Sequence, residues 1–351
     1  MHEHASRRLL QTSLGLFCLL ASLVLMAACN RQAVDVMELA GPTMGTTYSI
    51  KLAAAPDPAL RDALQRQVEQ RLHEINARMS TYLADSDLMR FNRNPSTEWQ
   101  PVPTELVQLV DQANRISAQT DGMYDITVGP LVNLWGFGNA GTRATAPATP
   151  EVAALLEETG YGHLQTRQVP PALRKDVAGL QIDLSSIAKG WAVDQLAQLL
   201  IEHGIRDFLV EIGGELRASG QKAANRPWRV AIERPVDEHR EVQRVIGLRD
   251  LAMATSGDYR NFFENGGRRF SHTISPKTGL PVQHSVASVS VVADNCALAD
   301  AWATALMALG EQRGPEVAES LRLKALFILR VPGGFEERIS SALQDSGLLR
   351  D

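Results

Sequence analysis

Apolar residues recur at helical spacing from 58 to 79, where Leu60, Leu64, Val68, Leu72, Ile75 and Met79 predict one amphipathic helix. A second such stripe, Leu106, Leu109, Val110, Ala113 and Ile116, predicts a helix that stops before Gly122. Residues 151–160 also read as helical. The stretch 180–204 reads as strand, polar turn and helix, with Ser185 or Ser186 as the cap, Leu196, Leu199 and Leu200 toward the core, and Gly204 at the end. Alternating patterns predict strands after Thr46, in FLVEIGGELRASG, in PWRVAIERP, within 241–253 and over 286–294. Asp294 is placed to cap a following helix over 294–310, and helix 316–323 and strand 325–329 complete the pattern.

The breaks in this pattern matter as much as the elements. Residues 31–37 read as a tether, GPTMG as a turn, 80–92 as a polar interruption, 123–138 as a buried loop lining a cavity, and 140–150 as a surface loop. The longest break, 254–282, mixes hydroxyls, basic residues, His272 and two Gly/Pro turns. Strands come in runs with helices between them, without clean βαβ alternation. The fold class is therefore α+β, with mixed, mainly antiparallel sheets and packed helices. There is no internal repeat, and neither GxGxxG nor GxxxxGK[ST] occurs, which argues against Rossmann and P-loop nucleotide sites.

The N-terminus is an address. Arg7 and Arg8 precede an apolar run from Leu14 to Ala28, which ends MAAC at Cys29. This fits a bacterial lipoprotein signal over 1–28, lipidation at Cys29, a tether over 29–37 and a mature domain over 38–351, on the periplasmic face of a membrane. A plain membrane anchor is the alternative, and the arginine pair also fits twin-arginine export. Only Cys296 then remains, so the mature chain has no internal disulfide. A net charge of −5 leaves no basic surplus for nucleic acid.

Candidate chemistry falls in four places. Asp300 and Thr304 share one helix face, as hard oxygen donors for Mg²⁺ or as a simple hydrogen-bonded pair; apolar neighbours argue that the carboxylate is buried and needs a partner. IDLSSIAKG puts Asp183, Ser185 and Ser186 at a helix start, with Lys189 one turn in, which suits a phosphate or an ordinary cap. His272 in SHTISP is either a proton acceptor or a loop residue without chemistry. The EIGGE glycines permit close backbone approach or a tight bend. Met44, Tyr82 and the MYD run at 123–125 offer walls for a flat ring or plain core. No Ser-His-Asp, CxxC or HxxxH pattern appears.

Taken in order, PTMGTTY, MSTYLADSDLMRFN, DGMYDITVGPLVNLWGFG, IDLSSIAKGWAVDQLA, FLVEIGGELRASG, PWRVAIERP, ATSGDYRNFFENGGRRFSHTISPKTGLPV and ADAWATALMALG closely resemble the ApbE family, the FAD:protein FMN transferases. The resemblance runs from about Pro42 past Gly310. It implies one large domain with an FAD cleft between sub-lobes, and Mg²⁺-dependent transfer of FMN from FAD to a Thr or Ser hydroxyl of acceptor flavoprotein subunits of electron-transfer complexes, releasing AMP. Hydrolysis of FAD to FMN and AMP, or FAD binding without turnover, are the alternatives. By the same resemblance Met44, Tyr82, Met123, Tyr124, Asp125, Asp183, Lys189 and Ile274 fall at FAD-contacting positions. Ser186, Asp300 and Thr304 fall at metal positions and His272 at that of the acceptor-activating base. Two departures stand out: Ala303 replaces a further aspartate of some relatives, and Lys189 stands where some carry an acid.

Overall fold

The structure is a computed structural model that describes residues 36–350 apart from 55–56, 140, 142, 144, 224, 237–240, 260–261 and 266–267. The signal, Cys29 and most of the tether lie outside the described residues. The architecture is built on an eight-stranded, wholly antiparallel sheet whose spatial order follows the chain. Its strands are β1 (Met37–Thr43), β2 (Thr46–Leu52), β3 (Phe208–Ile212), β4 (Glu215–Ser219), β5 (Leu251–Gly257), β6 (Val286–Ala293), β7 (Lys324–Val331) and β8 (Gly334–Ile339).

Both faces of the sheet centre are buried, which explains why β6 reads as an almost unbroken apolar run. Ala252, Ala254, Val289, Val291, Ala325, Phe327 and Leu329 face one core. The residues that alternate with them, Met253, Val292, Leu326 and Ile328, face another. Of the helices α1 (Pro58–Met79), α2 (Asp87–Arg93), α3 (Thr104–Gln119), α4 (Gly129–Leu134), α5 (Thr149–Glu157), α6 (Ala188–Glu202) and α7 (Cys296–Ser320), all but α4 and α5 close the first core; those two pack with Trp135 and Ile274 in a third, smaller apolar cluster. The second core is closed by a small sheet of Trp228–Glu233, Val242–Leu248 and Leu349–Arg350. Among the described residues no helix is long and apolar enough to cross a membrane.

Local chemistry sets the element ends. Asp57 accepts the Ala59 N–H at 2.8 Å and Pro58 opens α1, where its missing N–H costs nothing. Ser86 caps α2 through the Met89 N–H at 3.0 Å. This helix falls inside 80–92, read above as an interruption, because seven residues are too few for a visible period. Met37 is the first residue of β1 rather than the last of a tether, and Pro42 is tolerated because β1 is an edge strand. The turn shrinks to Met44 and Gly45, both at positive φ, as a two-residue hairpin requires.

Three further expectations are corrected. Residues 123–138 contain a 3₁₀ turn, Ile126–Val128, and α4 rather than a plain loop. The cap of α7 is Asn295, which accepts the Leu298 N–H at 2.9 Å, and not Asp294. Gly310, at φ 77°, kinks α7 instead of ending it. The irregular stretch 254–282 begins with the end of β5 and continues as a hairpin, Phe262–Asn265 against Arg268–Ser271.

Candidate active site

The segment 180–187 brings the first site residues to the sheet, and it does so without being a strand. Asn92 clamps it instead, donating to the Ile182 carbonyl and accepting the Ile182 N–H, each at 2.8 Å. The buried Lys175 ammonium donates to the Leu180 carbonyl at 2.9 Å and the Asn92 carbonyl at 3.2 Å. Neither serine caps α6, whose first residue is Ala188 and whose N-terminal neighbour is Ile187. The carboxylate of Asp183 accepts the Ser185 N–H at 2.8 Å and the Ser185 hydroxyl, which folds the turn. Ser186 is left to meet the Tyr124 hydroxyl at 2.9 Å. Burial pushes the Tyr124 phenol well up, with the Ser186 bond opposing, so it stays neutral.

Helices α6 and α7 cross at Gly190. A Cβ there would sit 2.3 Å from the Cys296 carbonyl oxygen and 2.8 Å from the Ala297 Cα, so only glycine permits the approach. The same residue donates its N–H to Asp300 Oδ2 at 3.0 Å. Gly190→Ala is expected to cost about 1–3 kcal/mol, the usual penalty of overpacking, read as a lower urea midpoint. An unchanged midpoint would contradict this packing.

Asp300 is 3 % exposed. Burial raises its carboxyl above the usual range, while the neighbouring Lys189 and the Gly190 N–H oppose that rise. Lys189 is paired: its ammonium lies 2.6 Å from Glu215 Oε1. Burial works against the Lys189 charge, but Glu215 and Asp300 outweigh it and hold the ammonium above its ordinary value. Burial pushes Glu215 up to about 7 against the pull of Lys189. Its other oxygen, Oε2, is buried with no hydrogen-bond partner. Glu215 opens β4 directly after the Gly213–Gly214 turn, whose positive φ values only glycine adopts easily. It was missed because EIGGE was read for its glycines alone; the signal was a carboxylate heading a strand that must pack on both faces.

These groups share one cavity of about 1070 Å³. Met44, Tyr82, Met123, Tyr124, Asp125, Asp183, Ser186, Lys189, His272, Ile274, Asp300 and Thr304 all line it. Tyr82 stands 73 % exposed at its edge. Asp125 is committed locally: it accepts Thr127 N–H at 2.8 Å, Thr127 Oγ1–H at 2.7 Å and Tyr161 N–H at 2.7 Å, so its carboxylate shapes the turn behind Tyr124. Its carboxyl is raised, burial outweighing those bonds.

His272 leaves the hairpin Phe262–Ser271, which an aromatic stack holds against Trp135 and Phe137, just past the end of α4. Phe270 stacks on Trp135 at 5.6 Å and on Phe263 at 5.2 Å, Phe263 stacks on Phe137 at 5.5 Å, and Phe137 meets the His272 ring edge-on at 6.4 Å. Trp135 Nε1–H donates to the Gly279 carbonyl at 2.8 Å. Local pattern does not mark these aromatics as one unit, since Trp135 and Phe137 meet Phe263 and Phe270 only through the fold.

The donor set fits a hard divalent cation. Among the described residues no cluster of three or more His, Cys, Asp or Glu side chains forms a cage. Mg²⁺ needs none, because it is ordinarily held by one or two carboxylates with water and substrate phosphates. Asp300 offers a desolvated carboxylate, and the Thr304 hydroxyl, 3.1 Å from Ser256 Oγ, lies one turn on.

A cavity that gathers a histidine with a desolvated Asp, Glu and Lys cluster has the make-up of a catalytic site. The profile of the ApbE family matches residues 44–327. An FAD:protein FMN transferase of Vibrio cholerae serotype O1 is 46 % identical over 325 residues, covering 93 % of this chain and 96 % of its own. That of Escherichia coli K12 is 38 % identical, covering 92 % and 94 %. The structure of the flavin transferase ApbE from Vibrio cholerae matches with a TM-score of 0.82 at 44 % identity, over 89 % of this chain and 99 % of that one. The apo flavinyl transferase ApbE of Pseudomonas stutzeri matches at 0.81 and 39 % identity, over 89 % and 96 %. The chain belongs to the ApbE family.

Proposed function

We propose that the chain transfers FMN from FAD to a Thr or Ser hydroxyl of a target protein and releases AMP. The observation that carries this reading is the convergence of His272, the Lys189–Glu215–Asp300 cluster and Thr304 in one cavity. Met44, Tyr82, Met123, Tyr124 and Ile274 form the walls for the flavin, and Asp183 and the turn held by Asp125 fix its position. Asp300 and Thr304, with Ser186, would hold Mg²⁺, whose charge when bound screens the pyrophosphate oxygens. The Lys189 ammonium adds a fixed positive charge beside them.

His272 accepts the proton of the acceptor hydroxyl, whose oxygen bonds to the FMN-side phosphorus. The bond from that phosphorus to the bridging oxygen breaks, and AMP departs with that oxygen. The acceptors are flavoprotein subunits of electron-transfer complexes, reached on the periplasmic face of a membrane by a chain lipidated at Cys29.

Incubating the chain with FAD, Mg²⁺ and a periplasmic extract tests this. Covalent flavin fluorescence in a denaturing gel is expected, with an FMN mass increment on threonine or serine. Free FMN and AMP without labelled protein would replace the transferase reading by a hydrolase.

A further inference from the structure

The residues assigned to flavin and metal use only part of the cavity. The rest continues to the other face of the main sheet, through a notch. β4 pairs with β5 only as far as Leu216 opposite Met253. β5 runs on to Gly257, paired there with β6 alone. On that face of β2 and β3, Ser49, Lys51, Leu209 and Glu211 form a floor, since they alternate with the residues of the helix-side core.

The wall of this arm is the strand Trp228–Glu233. Five consecutive residues, 229–233, line the cavity. A strand showing one face would contribute every second residue, so it presents its edge. It is the terminal strand of its sheet. Gly247 donates to the Leu348 carbonyl at 2.9 Å on the far side, so the Arg229–Gly247 pair is a non-hydrogen-bonded one. The N–H and C=O groups of Arg229, and of Ala231 two residues on, therefore point away from their sheet, toward the cavity. The charges of this arm are unequal in their commitments. Glu211 accepts the Gly214 N–H at 3.1 Å and Glu233 already has a partner. Lys51 and Arg229 make no ion pair among the described residues.

We propose that an extended segment of the acceptor polypeptide docks here by adding a strand to the 229–233 edge, with successive acidic side chains toward Lys51 on the face turned to the main sheet and toward Arg229 on the outer face, and passes its hydroxyl through the notch to His272. This rests on the reading of the chain as a transferase to a polypeptide hydroxyl. Backbone pairing gives affinity for any extended segment, and the two cations select among them. Such an edge is otherwise a liability that proteins cover or blunt.

The test uses the full chain, FAD, Mg²⁺ and two pools of short unstructured peptides, each with one central threonine in glutamate-rich or lysine-rich flanks. Labelled peptide is read by fluorescence and mass. The acidic pool is expected to be labelled about tenfold faster, and Ala231→Pro to slow labelling about tenfold, the worth of one hydrogen bond. This substitution removes an outward N–H and no bond to Val242–Leu248, and FAD binding, read by flavin quenching, is expected to persist. As a check independent of the protein's folding, N-methylation of alternate amides in a labelled peptide is expected to abolish labelling in one register and spare it in the other. Equal labelling in both registers, wild-type rates in an Ala231→Pro chain that binds FAD, or labelling of a periplasmic extract but of neither pool, would each overturn the docking edge. Labelling of neither pools nor extract would overturn the transferase reading instead.

Discussion

His272→Ala is expected to lower the rate of protein flavinylation by about 10²–10⁴-fold, the usual contribution of a general base, while FAD affinity changes by less than about twofold. The residue is only half-buried and belongs to none of the three apolar clusters, so its removal leaves the core intact. Its support comes from the aromatic stack and from Ile274, which bridges to Pro281 and seats the chain two residues later. A base lost from a preserved cavity gives a specific signature: single-turnover transfer falls while flavin binding persists. Flavin quenching measures FAD affinity separately. A variant that transfers at the wild-type rate would remove His272 from the chemistry.

The outline of the fold was legible where one face of an element is buried. The stripe of α1 is an example: Leu64, Val68, Leu72, Ile75 and Met79 are all buried, as their spacing predicts. β1 was not legible, because an edge strand with Gly41 and Pro42 carries no alternation worth reading. The segment before α6 misled for a different reason. Its apolar residues Leu180, Ile182 and Leu184 are buried as in a strand, but side chains of Asn92 and Lys175 satisfy its backbone instead of a neighbouring strand. Long-range partners of this kind leave no trace in local pattern. The same holds for the site. Asp300 stood out because a lone carboxylate among alanines must find a partner, yet its surroundings come from α6 and β4, distant in sequence. Glu215 and the Phe137–Phe263–Phe270 stack are defined by such tertiary contacts alone.

Lys189→Met is expected to destabilise the metal-free chain by about 3 kcal/mol at pH 8, the low end for breaking a buried ion pair. The low end applies because the Lys189 side chain keeps 29 % of its surface open to the cleft, whereas that of Glu215 keeps 4 %. Methionine fills the volume but leaves Glu215 and Asp300 facing each other without a cation. The sign of the pH dependence follows from Glu215. Its carboxyl is raised from 4.5 to about 7, so the folded chain binds this proton more tightly than the unfolded one. The associated stability is complete below pH 4.5 and is lost as pH rises through about 7. Without Lys189 to oppose burial, the carboxyl rises further, so the deficit is small at pH 5 and grows toward pH 8. Urea midpoints at the two pH values measure it, and Glu215→Gln in the same chain is expected to recover part of the loss at pH 8, since it removes the stranded charge. Equal midpoints for Lys189→Met and wild type at both pH values would mean that the ion pair does not hold the site together.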